Sequence, residues 1–404
     1  MLSRVCILGA LLSTVLARPA SRAAPASYAV WGAESAIARG QGHGLDSDGS
    51  VQLSYEHGEL QWALRLLYEA TGNETYYDYI VSGASNVVDD DGSVLDYKPE
   101  ENQLDSIRVG PTFLYLYEKT GDEKWKTAAD VFRAQLDVHP RTAEGQFWHK
   151  TRYPEQGWLD GIYMGDIFYA QYTAQLEPDN TTAWDDITLQ FALMYNNTLQ
   201  TTAANNTNIG LLYHGYDYSH DQPWASPDRG HSPEIWDRAL GWYMMSLVDA
   251  LDIVSSDSAD PSTAALHDLL LTQLTSLTPK LLAAADPDSG VWWLVMSQPG
   301  REGNYFESSG SAMFVYALLK GVREGYIPDT DGAVVAASKK AYEYMVDNWV
   351  VDAGDGTMNW EATVSVGSLS GAGDYDYYIS VDTVENDLKG LAAFILASIE
   401  YEQL

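Results

Sequence analysis

The sequence predicts an all-α protein folded as an (α/α)6 barrel, a toroid of six helical hairpins. Two observations support this prediction: a hairpin segment that recurs along the chain, and six helix starts that share a glycine at a similar position. The chain has 404 residues, of which 46% are hydrophobic. This composition is typical of globular proteins and argues against disorder as the main state.

The recurring segment is a leucine-rich helix that ends at a glycine and is followed by a second helix. Tyr68–Glu74 is repeated 49 residues later as Tyr117–Glu123, with Gly72 ending the first helix of one copy and Gly121 that of the other. Glycine after a helical run favours a helix stop. Repetition at this period is typical of stacked helical hairpins.

Six predicted helix starts contain a glycine, in most cases five residues after an acidic or aromatic residue. Such a glycine is destabilising unless two backbones must approach closely, as inner helices around one axis do. We therefore expect a closed ring, in which the segment Ser27–Arg39 supplies the return helix of the last hairpin. The alternative is an open α-solenoid without a central pocket. The glycines are Gly58, Gly110, Gly165, Gly241, Gly310 and Gly390.

The first residues indicate a secretory signal peptide at residues 1–17, with cleavage there or as late as residue 24. Arg4 precedes an apolar run that ends at Ala17, which is shorter than the roughly 20 residues that cross a bilayer. Residues 27–404 are then one catalytic domain. The single cysteine, Cys6, lies in the signal, which excludes thiol, zinc–thiolate and iron–sulfur chemistry in the mature chain. With the signal, Asn-X-Thr sequons at Asn73, Asn180, Asn196 and Asn205 predict a secreted, extracellular glycoprotein.

The charge balance argues against two classes of partner. The chain carries 23 Lys and Arg against 57 Asp and Glu, a formal charge of −34. Nucleic-acid binding and docking on an anionic membrane both depend on basic side chains. We therefore expect no nucleic-acid partner and no membrane partner. We also expect a monomer. The 13 Trp and 27 Tyr suit stacking on sugar rings, although core packing accounts for most of them.

Asp160 and Asp105 are the candidate catalytic residues. Each lies five residues before a helix-start glycine, so equivalent positions in a barrel place both carboxyl groups at one rim of a shared pocket. We expect Trp158 and Tyr163 to keep the Asp160 carboxyl group partly dry, which favours the protonated form that a general acid needs. The alternative for each aspartate is a helix N-cap.

Basic side chains are scarce, and four of them lie beside aromatic residues: His149, Lys150, His214 and Arg238. They are candidates for binding an anionic group of a substrate, because short-range contacts survive the screening that removes long-range repulsion beyond roughly 8 Å. The alternative for Arg238 is an ion pair with a structural carboxylate. Motifs of serine hydrolases, zinc proteases, P-loops and dinucleotide-binding folds are absent from the sequence.

Several segments together resemble glycoside hydrolase family 105, the unsaturated rhamnogalacturonyl hydrolases. The resemblance extends from about Tyr55 to the C-terminus, and residues 158–164 and 236–242 are its most specific parts. The related unsaturated glucuronyl hydrolases share the paired aspartates, but the block around His214 is more similar to family 105. The segments are Leu104–Ser106, Trp158–Met164, Tyr213–Asp217, Trp224–Ala225, Ser232–Tyr243, Glu307–Ala312 and Glu385–Gly390.

The resemblance implies a secreted enzyme without metal or cofactor that removes a 4,5-unsaturated galacturonate from the non-reducing end of lyase-generated rhamnogalacturonan (pectin) oligosaccharides. It implies that Asp160 is the general acid/base and that Asp105 holds the substrate. The substrate-binding residues that it implies are Tyr55, His149, Lys150, Trp158, His214, Trp236, Arg238 and Trp242. Tyr216 and Asp237 depart from the family pattern, which leaves the subsite for the neighbouring sugar and the linkage specificity open.

The chemistry of such a substrate suits these residues. Protonation of its enol ether at C4 gives an oxocarbenium-like cation at C5 that water traps, and one carboxyl group can donate the proton and then activate the water. Three alternatives stay open: an unsaturated glucuronyl hydrolase acting on other lyase products, a conventional glycosidase on the same barrel such as an endo-acting α-mannanase, and a non-catalytic oligosaccharide-binding protein. Two aspartates in matched register favour catalysis.

Overall fold

The computed structural model describes residues 25–201, 209–254 and 260–404. The signal peptide and the sequon at Asn205 lie outside the described residues. The helices, in chain order, are α1 (Tyr28–Ala38), α2 (Tyr55–Thr71), α3 (Glu74–Val87), α4 (Gly110–Thr120), α5 (Glu123–Val138), α6 (Leu159–Gly161), α7 (Ile167–Leu176), α8 (Thr181–Thr198), α9 (Asp237–Ile253), α10 (Pro261–Ala284), α11 (Ser308–Arg323), α12 (Ala333–Trp349), α13 (Tyr375–Ile379) and α14 (Leu388–Tyr401).

Short irregular helices and small sheets fill the connections. The 3-10 helices are Pro99–Glu101 and Asp105–Val109, and a π-helical turn at Ile162–Asp166 leads into α7. The described strands form three antiparallel pairs: β1 (Gln156–Trp158) with β2 (Gly215–Asp217), β3 (Val350–Asp352) with β4 (Met358–Trp360), and β5 (Thr363–Val364) with β6 (Thr383–Val384).

Six inner helices form a closed ring. Each of α2, α4, α7, α9, α11 and α14 packs against the next, and α14 packs against α2. The outer helices α3, α5, α8, α10 and α12 each return along an inner helix, and α1 packs on α14 as the sixth return helix. The (α/α)6 barrel and the role of the N-terminal segment are therefore confirmed, and the open solenoid is wrong.

The repeated hairpin turns depend on a glycine followed by a polar capping residue. Gly72 and Gly121 end α2 and α4 in the left-handed conformation, with φ of 67° and 66°. The next residues, Asn73 and Asp122, cap α3 and α5, because their side chains accept hydrogen bonds from the first-turn backbone at 3.1 Å. Each tight turn therefore ends one helix and starts its antiparallel partner.

The glycines at the helix starts sit where elements of the ring approach closely. A Cβ added at Gly58 would lie 2.5 Å from the backbone oxygen of Arg108, and one at Gly310 would lie 2.5 Å from the carboxyl group of Asp237. Inner helices such as α9 and α14 are buried almost all round, as expected for helices enclosed by an outer ring. Within the described ranges, no helix has both the length and the apolarity required to span a membrane.

Candidate active site

A small antiparallel sheet brings Asp160 and His214 together. Strand β1 ends two residues before Asp160, and β2 begins directly after His214. The backbone N–H of Leu159 donates to the carbonyl oxygen of His214 at 2.9 Å, which continues the pairing. As a result, Nε2 of His214 lies 3.1 Å from Oδ2 of Asp160, while its Nδ1 lies 2.7 Å from the hydroxyl group of Tyr378.

Asp105 is held by two consecutive basic side chains. It is the first residue of the 3-10 helix that precedes α4. Nζ of Lys150 donates a hydrogen bond to Oδ2, and Nε2 of His149 lies 3.5 Å from Oδ1. The backbone N–H of Leu104 donates to the carbonyl oxygen of His149 at 3.2 Å, which ties the two segments together. Asp105 therefore has partners on both carboxylate oxygens.

Neither aspartate is a helix N-cap. The capping positions of the two short helices are Leu104 and Trp158, whose side chains accept no hydrogen bond from the backbone. Asp105 and Asp160 instead follow these positions, inside the first turn. The N-cap alternative is wrong, and both carboxyl groups are available for other contacts.

The two aspartates line one cavity at the end of the barrel where the inner helices begin. The cavity has a volume of about 80 Å³. The side chains of Asp105 and Asp160 are 18% and 15% exposed, so both are enclosed and still reachable. The lining consists of Tyr55, Asp105, His149, Lys150, Arg152, Tyr153, Trp158, Asp160, Met164, Trp236, Arg238, Trp242, Val366, Gly367 and Ser368.

Nearly all the residues expected in the site contribute to this lining. The exception is His214, which is completely buried and reaches the cavity through Asp160. Sequence reasoning missed Arg152 and Tyr153, although their place two and three residues after a candidate basic pair was a usable signal. It also missed Met164, one helical turn beyond Asp160. The remaining missed residues, 366–368, follow β5, and nothing in the local sequence distinguishes them.

The pKa of Asp160 lies below its ordinary value. Burial raises this pKa, but the neighbouring imidazole of His214, together with His149, lowers it by more. In the ligand-free protein the carboxyl group is therefore ionised at neutral pH, so the expectation of a protonated Asp160 is wrong. One reason is that Tyr163 does not flank the carboxyl group: its ring stacks on Trp242 with centroids 5.1 Å apart, inside the barrel.

Trp158 lines the cavity, but other rings cover most of its surface, so little of it is available to stack on a sugar. It is 4% exposed, and the rings of His149 and Tyr153 stack on it with centroids 4.5 and 4.6 Å away. The planes of these two rings differ by 3°. Burial also lowers the pKa of His149 to about 4, although Asp105 opposes the shift, so His149 is neutral at pH 7.

The guanidinium group of Arg238 faces the cavity but is largely occupied by protein acceptors. It donates to the backbone oxygens of Val364 and Ser365, the second at 3.3 Å, and lies 3.4 Å from the carboxylate of Glu307. The alternative that Arg238 forms an ion pair with a structural carboxylate, here Glu307, therefore agrees with the geometry. Through the two carbonyl groups, Arg238 also fixes the start of the segment 366–368.

The two residues that depart from the family pattern do not line the cavity. Tyr216 and Asp237 are both completely buried. Burial raises the pKa of Asp237 well above its ordinary value, and the nearby carboxylate of Glu307 raises it further. The acid form of Asp237 is therefore favoured in the folded protein, and its influence on a bound sugar is indirect, through Glu307 and Arg238.

The arrangement suits proton transfer to an anionic molecule. One carboxyl group is paired with an imidazole and the other with an ammonium group, and both face the same space. A carboxyl group so placed can donate and accept a proton, and the cations can hold an anion next to it. Among the residues that the structure covers, no group of three or more His, Cys, Asp or Glu side chains is arranged to hold a metal ion.

Three comparisons relate this geometry to known proteins. The model of Glycosyl Hydrolase Family 88 matches residues 34–404. The solved structure of a family 105 glycoside hydrolase from C. acetobutylicum ATCC 824 is 37% identical in sequence; the match covers 94% of this chain and 100% of that chain, with a TM-score of 0.85. A protein of Agrobacterium fabrum is 37% identical over 201 residues, which cover 47% of this chain and 82% of that protein.

A more distant likeness concerns the fold alone. The structure of an unsaturated glucuronyl hydrolase from Bacillus sp. GL1, responsible for the degradation of glycosaminoglycan, is 15% identical to this chain. The match covers 93% of this chain and 96% of that chain, with a TM-score of 0.60. The helical toroid is therefore shared across this wider group.

Proposed function

The chain belongs to the glycoside hydrolases of the related families 88 and 105, and we propose that it removes a 4,5-unsaturated galacturonate from the non-reducing end of lyase-generated rhamnogalacturonan oligosaccharides. Family membership makes it a hydrolase with a carbohydrate substrate. The observation that carries the finer proposal is the single cavity in which Asp160 with His214 and Asp105 with Lys150 face the same space.

The first step of the proposed reaction is proton uptake by Asp160. Its carboxyl group is ionised in the ligand-free protein because His214 lowers its pKa. A uronate brings a second negative charge into the cavity, and a nearby negative charge raises the pKa of a carboxyl group. Binding of the substrate therefore favours the acid form of Asp160 that the chemistry needs.

The second step breaks the double bond. The protonated Asp160 gives its proton to C4 of the enol ether, and the positive charge develops at C5 and the ring oxygen. Asp160, now a carboxylate, accepts a proton from a water molecule whose oxygen bonds to C5. Proton transfer by a positioned side chain typically contributes a rate enhancement of roughly 10²–10⁴-fold.

The last step releases the neighbouring sugar. The hemiketal at C5 opens by breaking the bond between C5 and the ring oxygen, which leaves a ketone at C5 and a hemiacetal at C1. The hemiacetal expels the next sugar as an alcohol and becomes an aldehyde. One water molecule is consumed overall. Asp105, held by Lys150 and His149, is placed to bind hydroxyl groups of the uronate during these steps.

The test compares substrates side by side. The protein is incubated with an unsaturated rhamnogalacturonan disaccharide, an unsaturated chondroitin disaccharide and a saturated rhamnogalacturonan oligosaccharide, and the ultraviolet absorbance of the double bond is followed with product analysis. We expect rapid loss of the double bond with the first substrate. Preference for chondroitin would assign the unsaturated glucuronyl hydrolase activity. Cleavage of the saturated sugar would indicate a conventional glycosidase, and binding without turnover an oligosaccharide-binding protein.

We also propose that the protein is a secreted, extracellular glycoprotein that acts as a monomer. The support is the signal-like sequence at residues 1–17 and the Asn-X-Thr sequons, of which Asn73 is exposed at a hairpin turn. Mass spectrometry of protein from culture medium, before and after deglycosylation, tests the cleavage site and the sugars. Light scattering tests the monomer.

A further inference from the structure

Three Lys and Arg side chains line the cavity, and they differ in their partners. Lys150 donates to Asp105, and Arg238 is bound to Glu307 and two backbone carbonyl groups. Arg152 is exposed, and within the described residues no carboxylate lies within ion-pair distance of its guanidinium group. In a chain with 57 acidic and 23 basic residues, Arg152 is thus the cation of this lining that stays available to a ligand.

Arg152 lies at the mouth of the cavity, and an aromatic ring orients it. Its guanidinium carbon is 5.0 Å from the ring centroid of Tyr153, a distance typical of a cation–π contact. Tyr153 is half-buried because it stacks on Trp158. The aspartates lie deeper, at 18% and 15% exposure. Tyr153, which is fixed by Trp158, therefore positions the guanidinium group of Arg152 at the entrance of the cavity.

From this placement we propose that Arg152 and Tyr153 form a subsite for a carboxylate-bearing sugar beyond the scissile linkage. The inference rests on the proposed function: the unsaturated uronate must reach Asp160 in the interior, so the rest of the oligosaccharide leaves through the mouth. A chain of alternating uronate and rhamnose carries its next carboxylate there. The planar guanidinium group matches a carboxylate with two hydrogen bonds, which favours an acidic oligosaccharide over a disaccharide with a neutral leaving sugar.

The experiment measures kcat/KM on two unsaturated substrates: a uronate–rhamnose disaccharide, and the tetrasaccharide that carries one further uronate. Arg152→Gln removes the charge from an exposed position. We expect it to lower kcat/KM on the tetrasaccharide by about 5- to 20-fold, mainly through KM, as for a lost charge-assisted hydrogen bond. On the disaccharide, we expect a change of less than about twofold, since that substrate ends before the subsite.

Two further variants control for charge and geometry. Lys119→Gln removes one positive charge from an exposed position at the far end of α4, and both substrates should react as with the unaltered protein. Arg152→Lys keeps the charge but loses the planar fork, so its tetrasaccharide value should lie between those of the unaltered protein and Arg152→Gln. The advantage of the tetrasaccharide in the unaltered protein should shrink as salt is added.

The outcomes separate this subsite from the proposed function. An equal loss on both substrates would show that Arg152 contacts the unsaturated uronate itself, and the subsite would be refuted while the activity stands. No change on either substrate would refute it as well. If the unaltered protein left the double bond of both substrates intact, the proposed function would fail, and the subsite with it.

Discussion

The charged side chains at the two ends of the barrel interior are arranged in opposite ways. At the site end, Asp105 and Asp160 have basic partners but keep an open side toward the cavity. At the far end, Lys320 and Asp249 are 4% and 0% exposed and lie 2.7 Å apart. Asp249 also accepts a hydrogen bond from the hydroxyl group of Tyr316 at 2.7 Å. Its other carboxylate oxygen accepts a hydrogen bond from the hydroxyl group of Tyr163 at 3.1 Å. A recess opens at the far end too, yet both oxygens of this buried carboxylate already have partners.

The difference shows that one ring of helices contains charged groups that stabilise the fold and others that can act on a ligand. Breaking a buried and fully paired charge destabilises the fold, since the remaining partner cannot return to water. A charge that keeps an open side contributes less to the fold and can act on a ligand. The two ends are therefore expected to respond differently to the removal of a single charge.

The largest expected effect is at the open end. Asp160→Asn removes the proton donor while keeping the shape of the side chain, so kcat should fall by roughly 10²–10⁴-fold. The melting temperature should stay within a few degrees, because the carboxyl group is partly exposed. Double-bond loss and thermal denaturation measure the two effects. Near-normal turnover would refute the assignment of Asp160 as general acid.

The far end should show the reverse pattern. Lys320→Met leaves Asp249 buried without its main cation, and the free energy of unfolding should fall by about 3–5 kcal/mol. Turnover per folded molecule should change little, because Lys320 does not line the cavity. Urea denaturation measures the loss. Adding Asp249→Asn to Lys320→Met should restore part of the stability, and a double variant less stable than the single one would contradict this explanation.

The pH dependence of the reaction sharpens the contrast further. Because the pKa of Asp160 lies below 3.8 in the ligand-free protein, its protonated fraction falls with rising pH over the whole neutral range. Since kcat/KM reports the protonation of the free enzyme, it should decrease between pH 5 and pH 8, by up to about tenfold per pH unit. A profile that rises over this range would show that another group supplies the proton.

The smallest expected effect is at Asp237, a buried carboxyl group at the site end that lies beside Glu307 and Arg238. The pKa of Asp237 is raised in the folded state, so ionisation in the unfolded chain costs stability once the pH exceeds 3.8, and this cost grows until the folded pKa is reached. Asp237→Asn removes the cost. It should stabilise the protein at pH 7 by about 1 kcal/mol and have little effect near pH 4. Urea denaturation at both pH values measures the change in the free energy of unfolding. A variant that loses more stability at pH 7 than at pH 4 would contradict the prediction.

Parts of the site could be predicted from the sequence because they depend on local patterns. Asp105 and Asp160 occupy the same position relative to a helix-start glycine, and the barrel converts that shared position into a shared cavity. The protonation of Asp160 could not be predicted in this way. It depends on His214, which is more than 50 residues away in the chain and arrives through the pairing of β1 with β2.

The same limit applies to the basic residues. His149, Lys150 and Arg238 were recognisable as candidates because they are scarce and lie next to aromatic residues. Which of the cations is free depends on acceptors contributed by other segments, such as Glu307 before α11. Arg152 differs from Arg238 because no carboxylate of the described chain reaches it, and no sequence pattern expresses that difference.

The amino-acid sequence by itself determined the repeated hairpins, their glycine turns and the end of the barrel at which the polar side chains gather. These features follow from backbone conformation and periodicity, which act over a few residues. Only the tertiary structure decided which charges are neutralised, which carboxyl group is ionised and which side chains line the entrance. Those properties depend on burial and on partners brought from distant segments, and electrostatic energies are set by these distances and surroundings.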